Sequence, residues 1–202
     1  MAERGPLCVG VDPHPALLAA WRLPDTPGGL REFSLRVLEA VGTRVAALKP
    51  QAAFFERQGS AGVAVLEELL AAAHQTGVLT IVDAKRGDIG STMQGYADAY
   101  LSDTSPLAGD AVTLSPYLGF GSLGPALTAA AASGRGVFVL DLTSNPEGAS
   151  VQHARGADGL AVAAGIARAA GAANAPELAA GEPLGSVGLV VGATVGSAVQ
   201  DL

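Results

Sequence analysis

Short apolar runs alternate along the chain with longer stretches in which apolar side chains return every third or fourth position. Residues 7–12 form the first run, ended by Asp12-Pro13-His14-Pro15, which reads as a buried strand and a loop. Leu30, Phe33, Val37, Leu38 and Val41 then fall at helical spacing, with Gly42 as a terminator. Residues 45–49 predict the next strand, which Pro50 keeps from continuing regularly. A loop over 51–59 holds Phe54 and Phe55, read as packing residues. A helix over about 61–74 leads into a strand over 78–83. The second half repeats the alternation: strands over 110–114, 136–142 and 186–192, and helices over 125–132 and about 160–170.

The order β-α-β-α-β predicts parallel strands joined by right-handed crossovers, an α/β fold. Roughly six β/α units are legible, whereas a closed (β/α)8 barrel needs eight and usually about 250 residues. A doubly wound open sheet tolerates six strands, but it wants a G-x-G-x-x-G turn after its first strand, and Val9-Gly10-Val11-Asp12-Pro13 lacks one. Asp12, Lys49, Asp83 and Lys85 each close a predicted strand, as if around a ring. The expectation is therefore one domain over residues 1–202, of (β/α)8-barrel type with about six units present.

Composition narrows the function. The chain is 49% hydrophobic and 15% charged, ample for a globular core. Its net charge of -7 opposes a nucleic-acid or anionic-membrane surface. The one cysteine, Cys8, reads as a small core residue, which leaves no disulfide framework and no cysteine-rich metal site. Residues 1–6 show no apolar signal core and no run reaches membrane-spanning length, so a cytoplasmic protein is expected.

The stretch of most interest runs from Thr80 to Thr92, an apolar strand leading into the charged turn Asp83-Ala84-Lys85-Arg86-Gly87-Asp88. Asp83 and Lys85 share a face if the pleat persists, and Ser91 or Thr92 can cap a helix beginning near Met93. Carboxyl ends of parallel strands are where α/β active sites sit. A solvated turn that happens to be charged is the competing reading, and the lysine count weighs against it. Lys49 and Lys85 are the only lysines in the chain; every other basic residue besides histidine is arginine. Where arginine serves for charge alone, a surviving lysine marks a need for a proton that can be given up. Lys85 thus reads as a general acid. A Schiff-base role would want a neutral lysine, and Asp83 and Asp88 keep this one charged.

These residues, with Val11-Asp12-Pro13, Leu48-Lys49-Pro50, Thr143-Ser144-Asn145-Pro146 and Gly192-Ala193-Thr194, make the chain resemble the orotidine 5′-phosphate decarboxylase family over essentially its whole length. The resemblance implies a barrel homodimer with shared active sites, no metal or organic cofactor, and loss of CO2 from C6 of the pyrimidine of orotidine 5′-phosphate to give UMP. It implies that Lys85 protonates C6, that Asp83 lies beside the leaving carboxylate, and that Lys49 and Asp12 contact the ribose. Asp88, Ile89 and Thr92 would reach the neighbouring subunit's site, and Ser144 the pyrimidine edge. A fixed cation aimed at a carbon that gains negative charge suits this chemistry, and alternating Lys49, Asp83, Lys85 and Asp88 keeps each ion paired.

The family carries two further strands whose loops grip the substrate phosphate, and these 202 residues hold neither. Turnover by this span alone is expected to be weak, with little preference for the phosphorylated substrate, because remote binding energy drives chemistry as well as affinity. Two other readings stand beside the first. A magnesium-dependent sugar-phosphate lyase or synthase barrel would place a glutamate at the second strand end, where Lys49 opposes a metal cation. A shortened paralogue would serve only as a dimer partner. His14, His74 and His153 are scattered, and no G-x-S-x-G elbow supports a serine hydrolase.

Overall fold

A computed structural model describes residues 4–202; residues 1–3, part of the stretch read as lacking a signal core, lie outside the described residues. Six strands form one sheet in the order β1-β2-β3-β4-β5-β6: β1 (Cys8–Val11), β2 (Ala47–Pro50), β3 (Leu79–Arg86), β4 (Ala111–Leu114), β5 (Gly136–Leu140) and β6 (Val187–Val190). The pairs β1–β2, β2–β3 and β5–β6 are parallel. A doubly wound sheet reverses direction at a switch point, so its strand order is never consecutive. The observed order therefore removes that alternative.

Helices α1 (Pro15–Ala20), α2 (Pro27–Val41), α3 (Ala52–Glu56), α4 (Gly59–Thr76), α5 (Gly90–Leu101), α6 (Gly124–Ser133), α7 (Ala149–Gln152) and α8 (Val162–Ala179) alternate with the strands. One of them, α3, lies inside the stretch expected to be a loop, and another, α1, starts on the last residue of an expected loop. Pro15 opens α1 at a position where a helix needs no N–H and where a fixed φ helps, so a residue read as the end of a loop is a helix starter. The five residues of α3 are too few to display a period. Helix α5 begins at Gly90, which places Ser91 and Thr92 in its first turn and not at its cap. Helix α8 outlasts its expected end because alanine favours helix strongly enough to carry Gly165 and Gly171.

The chain divides into two compact units, Met1–Ala84 with Ala99–Val112, and Lys85–Asp98 with Thr113–Leu202. In the first, α2 packs on α4, burying Leu30, Phe33 and Leu38 from one helix and Leu66, Leu69 and Leu70 from the other. Each such side chain contributes roughly 1.5–3 kcal/mol. Thr26 caps α2 by accepting from the Gly29 N–H at 3.3 Å. Phe55 is fully buried, and the Phe54 ring meets His14 edge-on at 4.1 Å, so both phenylalanines pack as expected. Cys8 does not: it is exposed, as is Leu7, because β1 ends the strand order and only its last residue, Val11, reaches the core. In the second unit α6 packs on β5 and α8 on β6, through the small buried residues Ala126, Ala130, Ala163 and Ala170.

Candidate active site

In the first unit the register of β2 against β3 decides which charges meet. Ala47 lies opposite Leu79 and Leu48 opposite Thr80, and the pairing resumes beyond Pro50 with Gln51 opposite Asp83. Asp83 is buried, at 5% exposure, where a bare carboxylate would be costly. Its Oδ2 accepts from Lys49 Nζ at 2.7 Å and from Gln51 Nε2 at 3.1 Å. The Lys49 side chain keeps about a third of its surface, so the pair is reachable from solvent on the lysine side. Asp12 follows β1, whose Gly10 is the register partner of Lys49. Its carboxylate folds over that glycine so closely that a Cβ at residue 10 would sit 2.3 Å from Oδ2.

In the second unit the feature that shapes the turn is the backbone of Lys85, at φ +48°. A left-handed conformation costs a lysine roughly 1–2 kcal/mol and is favoured only when its surroundings impose it. They do so here through buried Thr113, whose Oγ1 accepts the Lys85 N–H at 2.9 Å. Next along, the Ser115 N–H donates to the Arg86 carbonyl at 2.7 Å. Gly87 has no room for a side chain, since a Cβ would lie 2.3 Å from the Ser115 carbonyl oxygen. The pleat expected to align Asp83 and Lys85 therefore does not persist; the chain twists at Lys85 while the two remain on one strand, β3.

Beyond the turn, Asp88 accepts the Ile89 N–H at 2.8 Å, and Ile89 stands 62% exposed. Thr92 is also exposed, in the first turn of α5. Exposed positions of this kind, one of them a large apolar side chain, suit contact with another molecule. Ser144 lies on the loop after β5, against Gly192: a Cβ at residue 192 would come 2.8 Å from the Ser144 nitrogen. Among the expected residues, then, Lys49 and Asp83 are in direct contact, Asp12 stands one strand away from Lys49, and Lys85, Asp88, Ile89 and Thr92 follow in one turn.

Three residues of interest were not singled out from sequence. Gln51 and Thr113 are polar residues at strand ends or inside apolar runs, a signal readable only once their partners are known. Asp141 is the third, a charge inside Val137-Phe138-Val139-Leu140-Asp141-Leu142. It is 1% exposed and neither carboxylate oxygen has a hydrogen-bond partner. Burial pushes its pKa from 3.8 up to about 6. The folded protein thus holds that proton more tightly than the unfolded chain does. Its contribution to stability is at its best below pH 3.8 and is lost as pH rises through about 6. Asp141→Asn is expected to stabilise the chain more at pH 7 than at pH 4.5, by about 2 kcal/mol, and so to raise the melting temperature more at pH 7. Thermal melts at both pH values check this; an equal effect at both would overturn it.

The sequence profile of the Orotidine 5'-phosphate decarboxylase / HUMPS family matches residues 5–201. The orotidine 5′-phosphate decarboxylase of Salinispora arenicola is 58% identical over 202 residues, covering 100% of this chain and 71% of the relative. That of Streptomyces coelicolor is 59% identical over 196 residues, covering 97% and 69%. Among solved structures, an orotidine 5′-phosphate decarboxylase of Streptomyces avermitilis matches with a TM-score of 0.95 at 58% identity, over 99% of this chain and 69% of that one. The OMP decarboxylase of Leishmania donovani gives 0.79 at 35% identity, over 99% and 70%.

Proposed function

Because the chain belongs to the orotidine 5′-phosphate decarboxylase / HUMPS family, we propose that Lys85 is the proton donor of a decarboxylation whose charged surroundings are supplied by Lys49, Asp83 and Asp88. The reaction is conversion of orotidine 5′-phosphate to UMP in pyrimidine biosynthesis, and the fold is of (β/α)8-barrel type with about six units in this chain. The observation that carries the residue assignment is the Lys49–Asp83 pair at 2.7 Å on adjoining strands, in a chain whose other lysine follows two residues later.

The C6–carboxylate bond breaks, CO2 leaves, and the electron pair stays on C6. Lys85 places an ammonium at that carbon and gives it a proton, so charge stabilisation and proton transfer come from one group. Asp83 is fixed by Lys49 and Gln51 and does not reorganise as the substrate carboxylate departs. Asp12 and Lys49 hold the ribose and Ser144 the pyrimidine edge. Lys49 also disfavours a magnesium site at the second strand end, since its ammonium already occupies the Asp83 oxygen.

The active unit is a homodimer in which Asp88, Ile89 and Thr92 enter the neighbouring site, and it works in the cytoplasm. Among the described residues no helix is long and apolar enough to cross a membrane. Mixing tests the whole reading. Asp88→Ala and Lys85→Ala chains are each expected to release little CO2 from orotidine 5′-phosphate, and their mixture to regain up to about a quarter of the unmodified chain's rate, as random pairing of shared sites gives. Mixed dimers that form without regaining activity would sink the shared site; an inactive unmodified chain would remove turnover by this span.

A further inference from the structure

Every residue of β4 is buried, and Ala111, Val112 and Leu114 are apolar; Thr113, at 2% exposure, is the exception. Valine has nearly the same shape and suits a buried strand at least as well, so a hydroxyl at this position answers a requirement other than packing. Parallel strands pair main chain with main chain, yet at Lys85 the N–H donates to a side-chain oxygen, Thr113 Oγ1 at 2.9 Å. This side-chain acceptor coincides with the left-handed φ of +48° at Lys85. Both residues belong to the second unit.

Two further contacts hold the same turn. The Ser115 N–H donates to the Arg86 carbonyl at 2.7 Å, and Gly87 lies so near Ser115 that a Cβ would come 2.3 Å from its carbonyl oxygen. Of these three contacts, only the one to Thr113 is made by a side chain. Its consequence falls on Lys85, because a left-handed residue sends its side chain in a direction that an unbroken pleat would not give it. Asp83, two residues earlier on β3, is buried, whereas Lys85 is exposed.

We propose that Thr113 is a positioning residue for the decarboxylation: by accepting the Lys85 N–H it fixes the backbone from which the ammonium reaches C6. This rests on the reading of Lys85 as the proton donor. Misplacing a reacting group by about 1 Å costs on the order of a hundredfold in rate. Substrate binding, assigned to Asp12, Lys49 and Ser144, uses other side chains, so the loss should appear in kcat and not in KM.

Thr113→Val removes the acceptor and keeps the shape, while Thr113→Ser keeps the acceptor. Hydrogen exchange of the Lys85 amide, followed by NMR on the full chain, reads the hold directly. The amide is expected to be protected in the unmodified chain, to exchange at least about tenfold faster in Thr113→Val, and to stay within about threefold of the unmodified rate in Thr113→Ser. With orotidine 5′-phosphate, Thr113→Val is expected to lower kcat by about tenfold or more with KM changed less than about twofold, and Thr113→Ser to recover most of that loss. An unprotected Lys85 amide in the unmodified chain overturns the proposal without any variant having to fold. Unchanged exchange in Thr113→Val overturns it too, as does a kcat that holds while exchange quickens. Exchange is read without turnover, so failure of the hold is told apart from failure of Lys85 as the acid, which Lys85→Arg reads.

Discussion

Replacing Lys85 by arginine is expected to lower the turnover of orotidine 5′-phosphate by about three powers of ten or more while leaving the fold intact. Arginine keeps the positive charge but does not release its proton under working conditions, and a positioned general acid is worth roughly 10²–10⁴ in rate. The longer, planar head also displaces charge from the carbon where it is needed, a further factor. Stability should barely move. The left-handed backbone at residue 85 costs either side chain the same, and the Thr113 bond goes to the main chain, which the substitution leaves in place. The rate is read from loss of substrate absorbance and the fold from a thermal melt. A variant with near-normal turnover would remove Lys85 as the acid.

A second large effect is expected for Asp83→Ala, this time on stability as well as on rate. Removing one partner of a buried ion pair costs about 3–5 kcal/mol, because the other charge is left without compensation. Lys49 retains about a third of its side-chain exposure, which lets water screen it, so about 2–3 kcal/mol is the appropriate expectation. Gln51 loses its acceptor as well. Lys49→Met combined with Asp83→Ala should therefore be less destabilised than the sum of the two single changes, since no orphan charge remains. Urea unfolding of the four chains gives the coupling. A loss below about 1 kcal/mol for Asp83→Ala would mean that the pair stabilises no more than a surface one.

Long periodic elements were readable because burial imposes their pattern directly. Leu30, Phe33 and Leu38 predict both the presence of α2 and its buried face. Parallel strands followed from the alternation, and the two lysines singled out the candidate site. Short elements and exceptions were not readable. α3 lacks a full repeat, and Pro15 begins a helix or breaks one depending on which side of the boundary it falls. The partnership of Gln51 with Asp83 arises from register between strands more than thirty positions apart, which no local signal encodes. Cys8 was misplaced because an apolar run does not reveal whether a neighbouring strand covers it. Asp141 was visible as a letter out of pattern, yet its isolation emerges only in the fold, where neither carboxylate oxygen has a partner and Gln152 is engaged with Thr143.

The backbone at Lys85 also sets two kinds of selection against each other. Glycine adopts φ +48° without penalty and asparagine adopts it cheaply, so a library screened for heat resistance alone should enrich those two residues at position 85. A library screened by growth without supplied uracil or uridine should retain lysine. Directed evolution toward robustness, run without a demand for turnover, would erode this enzyme first at the position proposed here to give up the proton.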